Sequence, residues 1–168
     1  MAILPELMAD FAIHPKNGAL AAVSPEKDTV YLFKREHLLS MSNNTKVVPD
    51  FSIEIGKTPI AITFKRYQDV GYFGVICKQE ANLYLLSAED LSLVANFSTN
   101  GTAVSEVFSS KNNDDPFLYY IIESDSDDDS TLAAVNLRPP LVLGLGLANG
   151  ENPQRYAWSS WSDINQLL

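Results

Sequence analysis

At 168 residues, 46% hydrophobic and 20% charged, the chain has enough apolar material for one folded domain with a substantial core. Its 12 basic and 21 acidic residues give a formal charge of −9, a surface that repels phosphate backbones and anionic lipid and so argues against general nucleic-acid or membrane-surface binding. The one cysteine, Cys77, excludes an intramolecular disulfide framework and any multi-cysteine metal site, and its apolar setting in Gly74-Val75-Ile76-Cys77 predicts a buried structural thiol.

Residues 1–10 carry neither a basic n-region nor an adequate apolar run, so no secretory signal is recognisable and a cytoplasmic location is the expectation. No stretch approaches the roughly 18 apolar residues of a membrane span. The glycosylation patterns at Asn43, Asn96 and Asn100 are then chance matches.

The first predicted element is a short strand, Phe11-Ala12-Ile13, followed by the turn residues Pro15-Lys16-Asn17-Gly18. Next come Ala19-Leu20-Ala21-Ala22-Val23, a short polar gap, and Asp28-Thr29-Val30-Tyr31-Leu32-Phe33. A gap of that size makes a local antiparallel hairpin. A turn of helix is expected over 38–41, and a fourth strand over 47–55. The same order returns as strands at 60–64, 72–76, 82–86 and 91–97, with a turn-rich stretch at 65–71. It returns again at 104–108, 117–122, 131–135 and 141–147, with a turn-rich stretch at 109–116. The third strand of each unit is apolar on both faces, so both faces must be covered.

The chain therefore reads as about three copies of a four-stranded unit. Gly56-Lys57-Thr58-Pro59, leading into Ile60-Ala61-Ile62-Thr63-Phe64, recurs with the same spacing as Gly150-Glu151-Asn152-Pro153, leading into Gln154-Arg155-Tyr156-Ala157-Trp158. Tyr31 and Tyr84 occupy one phase of the repeat, and Ala133 takes that place in the third copy. Repeats of this length made of strands predict an all-β fold of propeller blades, each of four antiparallel strands. The blades fall at about 9–55, 59–97 and 103–147 in one domain, with the first strand of a fourth at 155–168. A blade begun and not finished exposes apolar surface, so a larger ring or self-association through that incomplete blade is expected.

The run Ile53-Glu54-Ile55-Gly56-Lys57-Thr58-Pro59-Ile60-Ala61-Ile62, with strands like 28–33, resembles the YVTN and quinoprotein-like class of WD40-type propellers. The resemblance covers nearly the whole chain. The Gly-His and Trp-Asp dipeptides of WD40 repeats are absent, and Ala21-Ala22-Val23-Ser24 and Gly74-Val75-Ile76-Cys77 stand where the class has Tyr-Val-Thr-Asn. The resemblance implies that the Gly-x-x-Pro loops line one mouth of a central channel.

Few residues point to chemistry. The acidic tract Glu123-Ser124-Asp125-Ser126-Asp127-Asp128-Asp129 lacks the glycine and the closing glutamate of an EF-hand, and it reads as a solvated hairpin tip. His14 ends the first strand and His37 lies in a charged connection; neither has zinc spacing or a nucleophile elbow to serve. Gly144-Leu145-Gly146 with Gly150 lacks the following helix of a phosphate loop. Trp158 falls at a core position of the repeat, and Trp161 beyond it.

No cofactor or metal site is expected. The leading reading is a non-enzymatic scaffold that binds a protein or peptide partner at a mouth formed by Gly56, Lys57, Thr58 and Pro59, by Asn100, Gly101, Thr102 and Ala103, and by Asn149, Gly150 and Glu151. The alternative is part of a propeller enzyme, lactonase-like or quinoprotein-like, whose channel carries ligands drawn from several blades.

Overall fold

The computed structural model describes residues 6–40, 46–98, 104–123 and 130–138. Strands β1 (Asp10–Ile13), β2 (Leu20–Ser24), β3 (Thr29–Phe33) and β4 (Phe51–Glu54) form the first sheet in sequence order, with a short helix α1 (Arg35–Ser40) between β3 and β4. Strands β5 (Pro59–Tyr67), β6 (Val70–Cys77), β7 (Asn82–Ser87) and β8 (Leu93–Ser98) form the second. Strands β9 (Val104–Ser109), β10 (Phe117–Ile122) and β11 (Thr131–Asn136) form the third. Every pairing is antiparallel and between sequence neighbours, so each sheet is a meander and the fold is all-β, a set of partial propeller blades. The expected strand at 141–147, the residues from 155 onward and most of the acidic tract lie outside the described residues.

Registers align the blades row by row. Phe11, Ala22 and Tyr31 sit side by side in the first blade, as Ile62, Val75 and Tyr84 do in the second. Ile13, Leu20 and Phe33 correspond in the same way to Phe64, Phe73 and Leu86. Tyr31 and Tyr84 are thus equivalent residues on the third strands of successive sheets.

Two cores hold the blades together. Ala12, Ala21, Val23, Val30 and Leu32 of the first blade pack on Ile62, Phe73, Val75, Tyr84 and Leu86 of the second. The opposite face of the second blade, with Ile76, Leu83 and Leu85, packs on Val107, Leu118, Ala133 and Val135 of the third. The second blade therefore has a leading face turned toward the first and a trailing face turned toward the third, and the same two face names apply to the corresponding positions of the other blades. Because β6 and β7 are covered on both sides, they lack the polar alternation of a solvated sheet.

Small side chains set the blade spacing. Ala12 and Ala21 lie side by side on the first trailing face, and Thr63 and Gly74 take those places on the second. A Cβ on Gly74 would run into the Leu118 side chain of the third blade.

Several boundaries depart from the sequence expectation. The stretch 65–71 is not an extended turn: Tyr67 pairs with Val70, and the reversal is made by Gln68, at φ 53°, and Asp69. The expectation places Lys65 in that turn-rich stretch, but the residue belongs to β5 and its side chain is drawn inward by acceptors on the third blade. The strand expected over 47–55 begins only at Phe51, since Val47 leaves the sheet to pack on Ala22 and Phe33. The helix starts earlier than 38–41, at Arg35. Strand β8 starts at Leu93, after Leu91 at φ 61° turns the chain.

Cys77 is wholly buried, as expected, and burial pushes its thiol from 9.0 up to about 12, with Glu80 and Asp28 adding to the effect. The folded chain keeps this proton over the interval in which the unfolded chain releases it, so stability is lost as pH rises from about 9 to about 12. Tyr119, raised from 10.0 to about 12 by burial and by Asp115, acts in the same sense from about pH 10. The melting temperature should fall across this range, and in Cys77→Ala the fall should begin about one pH unit later. An unchanged onset in that variant would show that the thiol is not responsible.

Candidate functional site

The loop that joins the first two blades begins at Ile55, whose N–H donates to the Asp28 carbonyl at 2.9 Å. Asp28 closes the β2–β3 turn at φ 52°, and its carboxylate accepts the Thr58 N–H at 2.8 Å. The Thr58 carbonyl in turn accepts the Lys78 N–H at 2.9 Å, from the β6–β7 turn of the next blade. Thr58 is therefore gripped from both blades, and it is held at φ 59°. That region is unfavourable for a β-branched residue and costs about 1–3 kcal/mol, so it persists only where the surroundings over-determine it.

The rest of the Gly-x-x-Pro element is anchored beneath. Gly56 is buried, and a Cβ there would meet the Glu80 carboxylate and the Tyr84 hydroxyl. Tyr84 donates its hydroxyl to Glu80 at 3.0 Å, and burial raises its pKa. Its counterpart Tyr31 donates to Glu6 at 3.1 Å, and Glu6 also accepts from Ser24 at 3.0 Å. Pro59 is buried at the start of β5, Thr58 is half-buried, and Lys57 stands exposed between the anchors. Of the expected mouth, this loop is the part described; Asn100, Gly101, Thr102, Ala103, Asn149, Gly150 and Glu151 lie outside the described residues, as do Trp158, Trp161 and Gly144-Leu145-Gly146.

Sequence reasoning placed the loop but missed why it is rigid. Asp28 sits in a hairpin turn that reads as solvated punctuation, and nothing in its local pattern marks it as a clamp on Thr58, 30 residues away. Asp28 and Ala81 (φ 49°) do share one turn geometry, each left-handed immediately before the third strand of its blade.

Both histidines are structural. The His14 Nδ1 accepts the Lys16 and Asn17 N–H groups at 3.2 and 3.4 Å, and its ring lies 4.6 Å from that of Phe64. Burial lowers its pKa, which keeps the ring an acceptor. His37 pairs with Asp50 at 2.6 Å while that carboxylate also accepts the Lys34 N–H at 2.7 Å, so the pair ties α1 to the approach of β4.

At the opposite edge of the sheets, a cleft of about 160 Å³ lies between the first two blades, floored by Ala19, Leu32 and Ala88. Among the described residues, no group of three or more His, Cys, Asp or Glu is gathered to hold a metal, and no helix is long and apolar enough to cross a membrane.

No protein-family model matches the chain, and no curated protein matches it in sequence. Solved structures do match in shape. Hydrazine synthase of Kuenenia stuttgartiensis superposes with a TM-score of 0.58 at 15% identity, over 76% of this chain and 33% of that one. The dihydro-heme d1 dehydrogenase NirN, in complex with DHE, gives 0.61 at 11% identity, over 82% and 27%. A humanized mutant of the Chaetomium thermophilum Polycomb Repressive Complex 2, bound to an inhibitor, gives 0.59 at 14% identity, over 79% and 28%. The chain spans a third or less of the length of each of these chains. All three are propeller-containing proteins, and at such identities what the likeness shows is the fold: this chain is built of β-propeller blades.

Proposed function

We propose that the chain is a non-enzymatic interaction module that presents the loop around Lys57 and Thr58 to a protein or peptide partner, the loops at Asn100, Gly101 and Thr102 and at Asn149, Gly150 and Glu151 repeating that role on later blades. The observation that carries this reading is Thr58. A strained residue held by Asp28 from one blade and by Lys78 from the next fixes the neighbouring Lys57 backbone in place, and a surface fixed in advance binds at lower entropic cost. The solved structures of similar shape include two named as enzymes and one subunit of a multi-protein complex, so their names favour neither reading.

Selection of a phage-displayed peptide library on the purified chain tests the proposal. Enriched peptides should lose about tenfold or more in affinity, roughly 1.4 kcal/mol, in Lys57→Glu, with the melting temperature unchanged. Thr58→Gly, which adopts positive φ freely, should keep or raise the melting temperature while weakening the same peptides. Peptides that bind equally well to both variants, or a library that yields none, would overturn the proposal.

A further inference from the structure

The turn between β1 and β2 is pinned by a lone pair. The His14 Nδ1 accepts the Lys16 and Asn17 N–H groups, so this nitrogen carries no proton and the neutral ring keeps its proton on Nε2. The turn is closed further by the Gly18 N–H on the His14 carbonyl at 2.8 Å and by the Asn17 side chain, which accepts the Ala19 N–H at 3.0 Å. Gly18 sits at φ 70°, and a Cβ on it would strike the side chain of Arg35. The same turn is a wall of the cleft between the first two blades. Asn17 and Ala19 line it from the turn, Arg35 and Glu36 from the start of α1, and Ala88 and Glu89 from the second blade. Phe64, also on the second blade, supports the imidazole.

We propose that His14 is a pH-sensitive latch on this cleft: protonation of Nδ1 in mild acid removes the acceptor, releases residues 16 and 17, and opens the cleft on the Asn17 side. A proton on Nδ1 turns an acceptor into a donor that faces two N–H donors, so both bonds are lost in one step. The pairing of β1 with β2 does not involve the ring, which confines the opening to the turn. Three charged groups act on the imidazole. Arg66 on β5 and Lys16 in the turn oppose a positive charge there, and Glu89 of the β7–β8 turn favours one. Burial is the largest influence and lowers the pKa from 6.5; a backbone hydrogen bond and Glu89 only partly offset it. The unfolded chain therefore takes up this proton first as pH falls below 6.5, and the stability held by the latch is lost in that direction. The latch is closed at neutral pH and above, and it releases in acid.

NMR spectra of the full chain over a pH series, with an uncharged nitroxide in solution as the probe of cleft opening, are the test. Of the two imidazole signals, the one missing from His14→Asn belongs to His14. It should titrate with a midpoint below 6.5, and the amide signals of Lys16 and Asn17 should move with that same midpoint. The cleft floor is closed to solvent, with Ala19, Leu32 and Ala88 at 4%, 1% and 2% exposure, so the nitroxide should broaden its methyl signals only as His14 becomes protonated. His14→Asn supplies a side-chain acceptor that does not titrate, and its floor should stay shielded across the series. His14→Phe keeps a ring against Phe64 but offers no acceptor, and its floor should be open at every pH. A midpoint at or above 6.5, Lys16 and Asn17 amides that ignore the ring, or a floor that stays shielded when His14 is protonated would overturn the proposal. So would acid opening of the same size in His14→Asn.

Discussion

Gly74→Val should destabilise the fold by about 3 kcal/mol or more, at or beyond the upper end of what overpacking costs in a protein core. The added side chain must occupy space held by Leu118, a fully buried residue on a neighbouring sheet, and neither backbone can retreat without opening the core between the second and third blades. Leu118→Ala alone should cost about 2–5 kcal/mol through the cavity it leaves. Because one substitution supplies the volume that the other removes, the double variant should be more stable than the sum of the two losses by about 0.5–3 kcal/mol. Denaturant melts of the four proteins decide the matter. Strict additivity would mean that the two residues do not meet.

An effect of similar size is expected at Lys65. Its ammonium is fully enclosed, and it donates to the Ser110 carbonyl at 3.4 Å, the Ser110 hydroxyl at 3.2 Å and the Asn112 carbonyl at 2.9 Å, with Asp115 3.8 Å away. Ser110 also donates to Asp115, and Asp115 accepts the Phe117 N–H at 3.0 Å, so one cation organises the whole β9–β10 turn. Burial lowers the Lys65 pKa, and Asp115 opposes that shift. Lys65→Met keeps most of the volume but strands the acceptors and the half-buried carboxylate, and it should lose about 3–5 kcal/mol in equilibrium unfolding. If Lys65→Met unfolds like the parent while Lys65→Ala does not, the role of the side chain is volume and not charge.

The strand plan of this chain was legible because hairpins are local. The phase of Tyr31 and Tyr84, the short polar gaps and the doubly apolar third strands all follow from residues within one blade. Features that depend on contact between blades were not legible. Lys65, Arg66 and Tyr67 fall in a stretch that reads as turn-rich because of Asp69 and Gly71, and only the acceptors at Ser110 and Asn112 explain why a buried lysine lies in a strand. Val47 looks like the start of β4, and only the uncovered first leading face explains why it folds away to cover Ala22 and Phe33. At the candidate site the Gly-x-x-Pro spacing marked the loop, while the reason for its glycine, the approach of Glu80 and Tyr84, lies across a blade boundary. Thr58 carries no sequence signal at all, since threonine is a poor choice for its backbone angle.

Among the described residues, the ties between blades are to nearest neighbours. Asp10 accepts the Ile62 N–H at 2.9 Å, Asp28 holds Thr58, Ser109 donates to the Phe64 carbonyl at 2.6 Å, and Lys65 reaches the β9–β10 turn. Each of these has one end on the second blade or on the loop that leads into it. Among the described residues the first and third blades each carry one set of ties and the second carries two, and an array coupled in this way opens more readily at the units with one. Amide hydrogens of β6 and β7 should therefore be the last to exchange with deuterated solvent. Those of the first and third blades should exchange sooner, through openings that leave the middle of the molecule intact.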